Sequence, residues 1–339
     1  YQAMWEYVAT KDSVVSIINK AIPYYVAACA VAIGFKMNLF NIGVDGQYRL
    51  AAILAAAVGA AISAPAVLHV TLIMLVAMLV GGAYAAIPGV LKVTRGVNEV
   101  VATIMLNFIA TGITAYLLTT GIRNEEVELQ FETEPIPPSG RIPSLNGFLE
   151  WFGIDLPDGT VLSGFLPLAM LVGIAFYIII YRTRFGFDLR NSGANPFAAR
   201  SSGVSPKGMI LKTMILSGIV AGLAGMSPLL TEFYKYGDTF PTGIGFTGLA
   251  VALLGRNNPA GIAAAAIVWA GIERAAQNLP SVDVPQEIGQ IIQGTLLLAA
   301  VISFEVVRRY RQQLMVREAA AKTANERTEG GPAMPAVPA

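Results

Sequence analysis

The chain has 339 residues, a formal net charge of +1, and 55% hydrophobic against 13% charged residues, with a mean hydropathy of +0.60. Soluble domains carry about 25% charged residues, so this composition specifies an integral membrane protein, and the small net charge gives no ground for binding a nucleic-acid polymer. One Cys, Cys29, rules out an intrachain disulfide; one His, His69, leaves almost nothing for metal ligation or imidazole catalysis; and the absence of a Gly-x-x-x-x-Gly-Lys-Ser/Thr pattern excludes that mode of ATP binding by this chain.

A spanning helix needs about 20 mostly apolar residues. Runs of this kind fall at roughly 14–36, 47–64, 66–91, 99–120, 161–181, 208–231, 243–256, 260–279 and 286–306, the seventh being short for a full crossing. Lipid tolerates no unpaired backbone, and these runs are too long for barrel strands, so the fold class is all-α and polytopic with about nine transmembrane helices. Lys92 and Arg95, the cluster Arg182, Arg184, Arg190, Arg200, Lys207 and Lys212, and Arg308, Arg309, Arg311 and Arg317 after the last run mark cytoplasmic segments. Residues 121–160 carry Glu125, Glu126, Glu128, Glu132, Glu134, Glu150, Asp155 and Asp158 against Arg123 and Arg141, and are assigned outside. Nine crossings ending inside would start outside. The chain begins with Tyr1 and has no signal peptide, so a missing first helix is expected, giving ten in the full protein. The expected organisation is a transmembrane domain over 1–306, with an extracytoplasmic loop at 121–160 and a cytoplasmic loop at 182–207, and a cytoplasmic tail over 307–339. Its GGPAMPAVPA end is too rich in Pro and Gly to fold.

The first interruption, FNIGVDGQ at 40–47, sets Asn41, Asp45 and Gln47 among Gly43 and Gly46. Each Gly weakens a helix by about 1 kcal/mol relative to Ala, and Asn and Asp offer partners to freed backbone groups. The segment reads as an inner-face turn or as a broken helix facing a cavity. Interruptions in the second half, GDTFPTGIGFTG at 237–248 and GRNNP at 255–259, favour the second reading, because paired breaks in the two halves of a transporter point to its pathway. On the fourth run Thr103, Asn107, Thr111 and Thr114 share one helical face, which suits pore lining or interhelical hydrogen bonding equally. Asn98 and Glu99 read as the cap and acidic first turn of that helix. Gly218, Gly222 and Gly225 form a small-residue face for close packing. Glu273 and Arg274, near the outer end of a run, call for no more than snorkelling or a local ion pair; His69 and Cys29 are assigned no role.

In the basic loop, Asn195 can cap and Pro196 can open a short helix, FAARSS, which Gly203 and Pro206 then stop. A self-capped helix outside the membrane is a handle for another protein; a merely solvated loop would need no such punctuation.

FNIGVDGQ, GVNEVVATIMLNFIA at 96–110, LRNSGANPFAARSSGV at 189–204 and GLAVALLGRNNPAG at 248–261 together resemble the permease subunits of bacterial ABC importers for simple sugars and nucleosides, a branch that includes ribose and branched-chain amino acid permeases. The nearest resemblance is to the nucleoside permeases, whose first motif usually has Glu where Asp45 stands. The resemblance implies a ten-helix permease of the bacterial cytoplasmic membrane, with its C-terminus cytoplasmic. It further implies two ATPase subunits that hold ATP and magnesium, a second permease subunit and an external substrate-binding lipoprotein. This chain itself carries no cofactor and is no enzyme. Asn195, Pro196, Ala198, Ala199, Arg200 and Gly203 match the family's coupling helix, which sits in a groove of the ATPase. On this basis the expected substrate pathway comprises Phe40, which could stack on a base, Asn41, Asp45 and Gln47, with Thr103, Asn107 and Thr111. Ribose, other sugars or branched-chain amino acids are the alternative solutes. A secondary transporter or channel would need no ATPase handle, and a membrane enzyme lacks catalytic groups.

Overall fold

The computed structural model describes residue 4, residues 7–124 and 130–303, and residues 306 and 310. Glu125, Glu126, Glu128, Arg308, Arg309, Arg311, Arg317 and, apart from Tyr310, the expected tail at 307–339 lie outside the described residues. The chain divides into a first compact unit, 1–292, and a second, 293–339; the described part of the second continues a helix, Ile288–Ser303.

Among the described residues the architecture is helical, and β pairing is a single antiparallel bridge between Glu132 and Gly237. Helix α1, Lys11–Phe35, starts where Thr10 accepts a hydrogen bond from the Ser13 amide. Helix α2, Val44–Ala61, follows the 36–43 turn. Helix α3, Ala66–Arg95, ends at Gly96, whose φ of +69° suits Gly, with Lys92 and Arg95 in the last turn facing the negative helix end. Asn98 then caps α4, Glu99–Tyr116, accepting from the Val100 and Val101 amides as its sequence suggested. Helix α5 is Asn146–Trp151, and α6, Leu166–Tyr177, runs through a π turn to Arg182. Helices α7, Arg184–Ala194, and α8, Pro196–Ser201, form the basic hairpin. Helix α9, Pro206–Ala224, continues through Met226–Pro228 into a π turn at Leu229–Phe233. Helices α10, Ile244–Leu254, and α11, Pro259–Ala276, precede α12, Ile288–Ser303.

Each of the nine apolar runs falls on one of these helices. Length and apolarity alone qualify four of them to cross a membrane: Lys11–Phe35, Ala66–Arg95, Glu99–Gly121 and Pro206–Phe233. A fifth is reached if Leu166–Arg182 and Arg184–Ala194, bent by 69°, count as one span. The other runs are carried by shorter helices. At 11 residues, α10 is about 16 Å long, half of a hydrocarbon core.

Helices α1, α2 and α9 are the most buried, and α3 packs against α9. Glycines set the α3–α9 distance: a Cβ on Gly218 would stand 2.3 Å from the Ala85 Cβ and 2.4 Å from the Gly81 carbonyl oxygen, and one on Gly222 would stand 2.1 Å from the Ala77 carbonyl oxygen. Close packing is thus what the small-residue face does. Helix α4 is inside-out by the standards of a soluble protein: Thr103, Asn107 and Thr114 are buried while Val101, Met105 and Phe108 are exposed. That polarity suits a helix whose outer face meets lipid. His69 is fully buried and joins α2, α3 and the 137–140 turn; its Nε2–H donates to the Gly59 carbonyl at 2.9 Å and its Nδ1 shares a hydrogen bond with the Ser139 hydroxyl at 2.9 Å.

Candidate functional site

The break between α1 and α2 is tied together by polar side chains. Asn41 and Gln47 are 0% and 1% exposed and bond each other twice, Asn41 Nδ2 to Gln47 Oε1 and Gln47 Nε2 to Asn41 Oδ1, both at 3.0 Å. Asn41 Oδ1 also accepts from the Gly43 amide, and Asn41 Nδ2 donates to Ser217 Oγ of α9 at 2.9 Å. Ser217 in turn donates to the Ala30 carbonyl of α1. From α4, Asn107 accepts from the Gly46 amide at 2.9 Å and donates to the Ile42 carbonyl at 3.0 Å, so one amide satisfies two backbone groups that the break frees. Asp45 Oδ1 accepts from the Gly245 amide at the start of α10 at 3.2 Å, and Tyr48 Oη donates to the Pro241 carbonyl. Thr103 is buried beside Gly43 and bonds back to the Glu99 and Val100 carbonyls.

Five of the seven expected pathway residues therefore meet: Asn41, Asp45, Gln47, Thr103 and Asn107. Phe40 stands apart, 46% exposed, its ring edge-on to Phe35 at 4.9 Å. Thr111 lies on the rim, accepting from Arg49 at 3.1 Å and donating to the Asn107 carbonyl. Sequence reasoning missed Ser217 and the role of Arg49. The latter lies 4.0 Å from Asp45 one turn away and needed only the four-residue spacing of an acid and a base to be noticed.

The knot backs onto a cavity of about 510 Å³, within the usual range for small-molecule sites. Its walls include Asp12, Asn19, Lys20 and Tyr24 of α1, Glu232 and Phe233 at the π turn after α9, Pro241, Thr242 and Ile244, and Glu273 of α11. None of the expected pathway residues lines it, yet Tyr48 and Asp45 hold the 241–245 wall from behind. Glu273 is fixed by Lys20 Nζ and Tyr24 Oη, each at 2.7 Å, and Asp12 by Arg274 at 2.7 Å, so both charges at the end of that run are ion-paired, with partners on or beside α1. Glu273 was legible as a charge near the end of an apolar run; its pairing with Lys20, more than 250 residues away, was not.

At the other end of α1 stands the basic hairpin. Asn38 Nδ2 donates to the Gly193 carbonyl at 2.8 Å, and a Cβ on Gly193 would come within 2.6 Å of the Met37 backbone. Asn195 Oδ1 caps α8 by accepting from the Phe197 and Ala198 amides at 3.0 and 3.1 Å, and Pro196 occupies the first turn. Gly203 adopts a φ of +80°, and the Val204 amide returns to the Ala199 carbonyl, which closes the helix end. Ala199 faces inward, whereas Phe197 is 81% exposed; Ala198 and Arg200 also face outward. The punctuation predicted α8; the outward aromatic was not singled out. Among the described residues no group of three or more His, Cys, Asp or Glu side chains is placed to hold a metal ion.

The chain belongs to the branched-chain amino acid transport system / permease component family, whose model matches residues 13–301. It is 35% identical over 309 residues to the guanosine ABC transporter permease protein NupP of Bacillus subtilis, covering 90% of this chain and 86% of that protein. It is 30% identical over 90% of its length to the glucose ABC transporter permease protein TsgB13 of Haloferax volcanii, covering 80% of the latter. It is 28% identical over 91% of its length to the nucleoside ABC transporter permease protein NupB of Lactococcus lactis, covering 82% of that chain. A second guanosine permease protein of the same Bacillus, NupQ, is 25% identical over 58% of this chain and 60% of its own length. No solved structure gives a significant match. The chain is thus a multi-pass membrane permease subunit, and the resemblance drawn from its motifs is borne out.

Proposed function

We propose that this chain is the membrane-spanning subunit of an ATP-driven importer that moves nucleosides by alternating access. Likeness along nine-tenths of the chain to permease proteins named for guanosine and for nucleosides in two organisms carries this reading. The glucose permease at 30% identity keeps a simple sugar as the second reading.

In this proposal the α7–α8 hairpin is the coupling handle: a separate ATPase, which holds ATP and magnesium, grips α8 around Arg200 and Phe197. The acidic segment 121–160 faces outward toward a substrate-binding lipoprotein. Helix α1 supports this orientation, since its first half meets Thr160, Val161 and Ser163 while its end meets Gly193, about 37 Å away along 25 residues. The chain crosses the membrane several times, with the C-terminus cytoplasmic. That NupP and NupQ share an organism and both resemble this chain supports a second, non-identical permease as its partner.

The mechanism follows from the joint at Met37–Asn38. Movement of the hairpin reaches the 40–47 break through Gly193, and the break holds α4, α9 and α10 by Asn107, Ser217 and Asp45. Shifting it exchanges the internal bonds of Asn41 and Gln47 for bonds to a hydroxyl-rich solute, with Thr103 and Thr111 along the same route and Phe40 stacking on the base. Because Asn41 and Gln47 satisfy each other, the knot closes without a solute and binds one weakly, as a conduit should. The test is ATP-dependent uptake by vesicles holding the whole complex, with guanosine, ribose, glucose and leucine compared. Saturable guanosine uptake supports the proposal; uptake of glucose or leucine alone removes the nucleoside and leaves the permease.

A further inference from the structure

The cavity is lined by three carboxylates, and two of them are used up. Asp12 accepts from Thr160 with one oxygen and Arg274 with the other; Glu273 accepts from Lys20 with one and Tyr24 with the other. Glu232 makes no hydrogen bond or ion pair among the described residues, and Lys20, already bound to Glu273, is the cation whose charge reaches it. The π turn at Leu229–Phe233 puts Glu232 and the Phe233 ring on the same wall. Such turns re-aim side chains that a regular helix would direct elsewhere. Asp12 is matched by Arg274 and Glu273 by Lys20, so among the three carboxyl groups Glu232 alone keeps two unoccupied acceptor oxygens toward the cavity.

A carboxylate of this kind disfavours anions and suits a neutral ligand with two neighbouring N–H donors, which its two oxygens accept side by side. Among nucleosides, the guanine edge offers that pair in N1–H and the exocyclic amine; adenine offers an amine beside an acceptor. Resting on the nucleoside reading above, we propose that Glu232 is the base-reading residue of the cavity. It favours guanosine-type nucleosides, with Phe233 or Tyr24 supplying an aromatic face, and disfavours the anionic nucleotides.

The experiment uses the complete transporter in proteoliposomes, with labelled guanosine, adenosine and guanosine monophosphate as probes and with Glu232→Gln and Glu232→Asp variants. Wild type is expected to prefer guanosine and to leave the monophosphate outside. In Glu232→Gln the ratio of guanosine to adenosine kcat/KM should fall about tenfold or more, the scale of one lost charge-assisted bond, and Glu232→Asp should recover part of it. Adenosine uptake reports in the same vesicles that the variant is assembled. Equal losses for both nucleosides, or an unchanged ratio, overturn the role of Glu232 while leaving the nucleoside permease intact. If the wild-type complex carries no nucleoside, the proposed function itself falls.

Discussion

At the scale of single residues, polar side chains carry the most information because each has a countable set of partners. Asn107 satisfies the Gly46 amide and the Ile42 carbonyl, and a buried group left without its partner costs about 1–3 kcal/mol. Asn107→Ala should therefore lower the unfolding midpoint of the purified protein in detergent by several degrees, whereas Phe40→Leu, at an exposed site, should leave it nearly unchanged; equal midpoints would remove Asn107 from the knot. The sequence showed that 40–47 is a break and that Asn107 belongs to a polar face, since Gly spacing and helical period are local signals. It did not show that Asn41 and Gln47 face each other, because that depends on Ser217 and Ala30, brought in by helices whose approach no local signal encodes. Glu232 was missed for the same reason: its freedom is visible only once Asp12 and Glu273 are seen to be taken.

At the scale of elements, caps were legible and depth was not. Asn98, Asn195 and Gly203 end or begin helices where the sequence put them, because a cap needs only neighbours. Hydropathy marked the run carrying the 11-residue α10 as short for a crossing, but it did not separate the 18-residue α2 and α11 from a 30-residue span such as α3. The α3–α9 seam gives a direct packing test. Gly218→Val would press new atoms into Gly81 and Ala85, and overpacking of this kind costs about 1–3 kcal/mol or more. The variant should lose yield and thermal stability, while Gly112→Ala, with open space around it, should lose neither. Comparable behaviour of the two would mean that the helices are not in glycine contact. On the handle, Gly203→Val forces a β-branched residue to a φ of +80°, at a cost of about 1–2 kcal/mol. Phe197→Ser removes the exposed aromatic of α8 without strain. Both variants are expected to fold in the membrane and to bind the ATPase less well in pull-down from detergent; undiminished capture would take α8 out of the interface.

At the scale of the molecule, the two ends of α1 define the transporter. One end lines the cavity and the other meets the α7–α8 hairpin, with the polar break between hairpin and cavity wall. Composition and four motifs were enough to place the chain among permeases, since lipid solvation and helix breaking are read locally. The cavity was beyond reach because its walls come from segments more than 200 residues apart in sequence. The most direct test of the whole reading is to measure ATP hydrolysis and guanosine uptake together in proteoliposomes of the full complex, native and with Arg200→Glu plus Phe197→Ser. Native vesicles should take up guanosine only with ATP, and the double variant should lose uptake and solute-stimulated hydrolysis while its permease remains in the membrane. Guanosine uptake that proceeds without ATP, or that survives the double substitution at full rate, would contradict an ATP-coupled permease driven through α8.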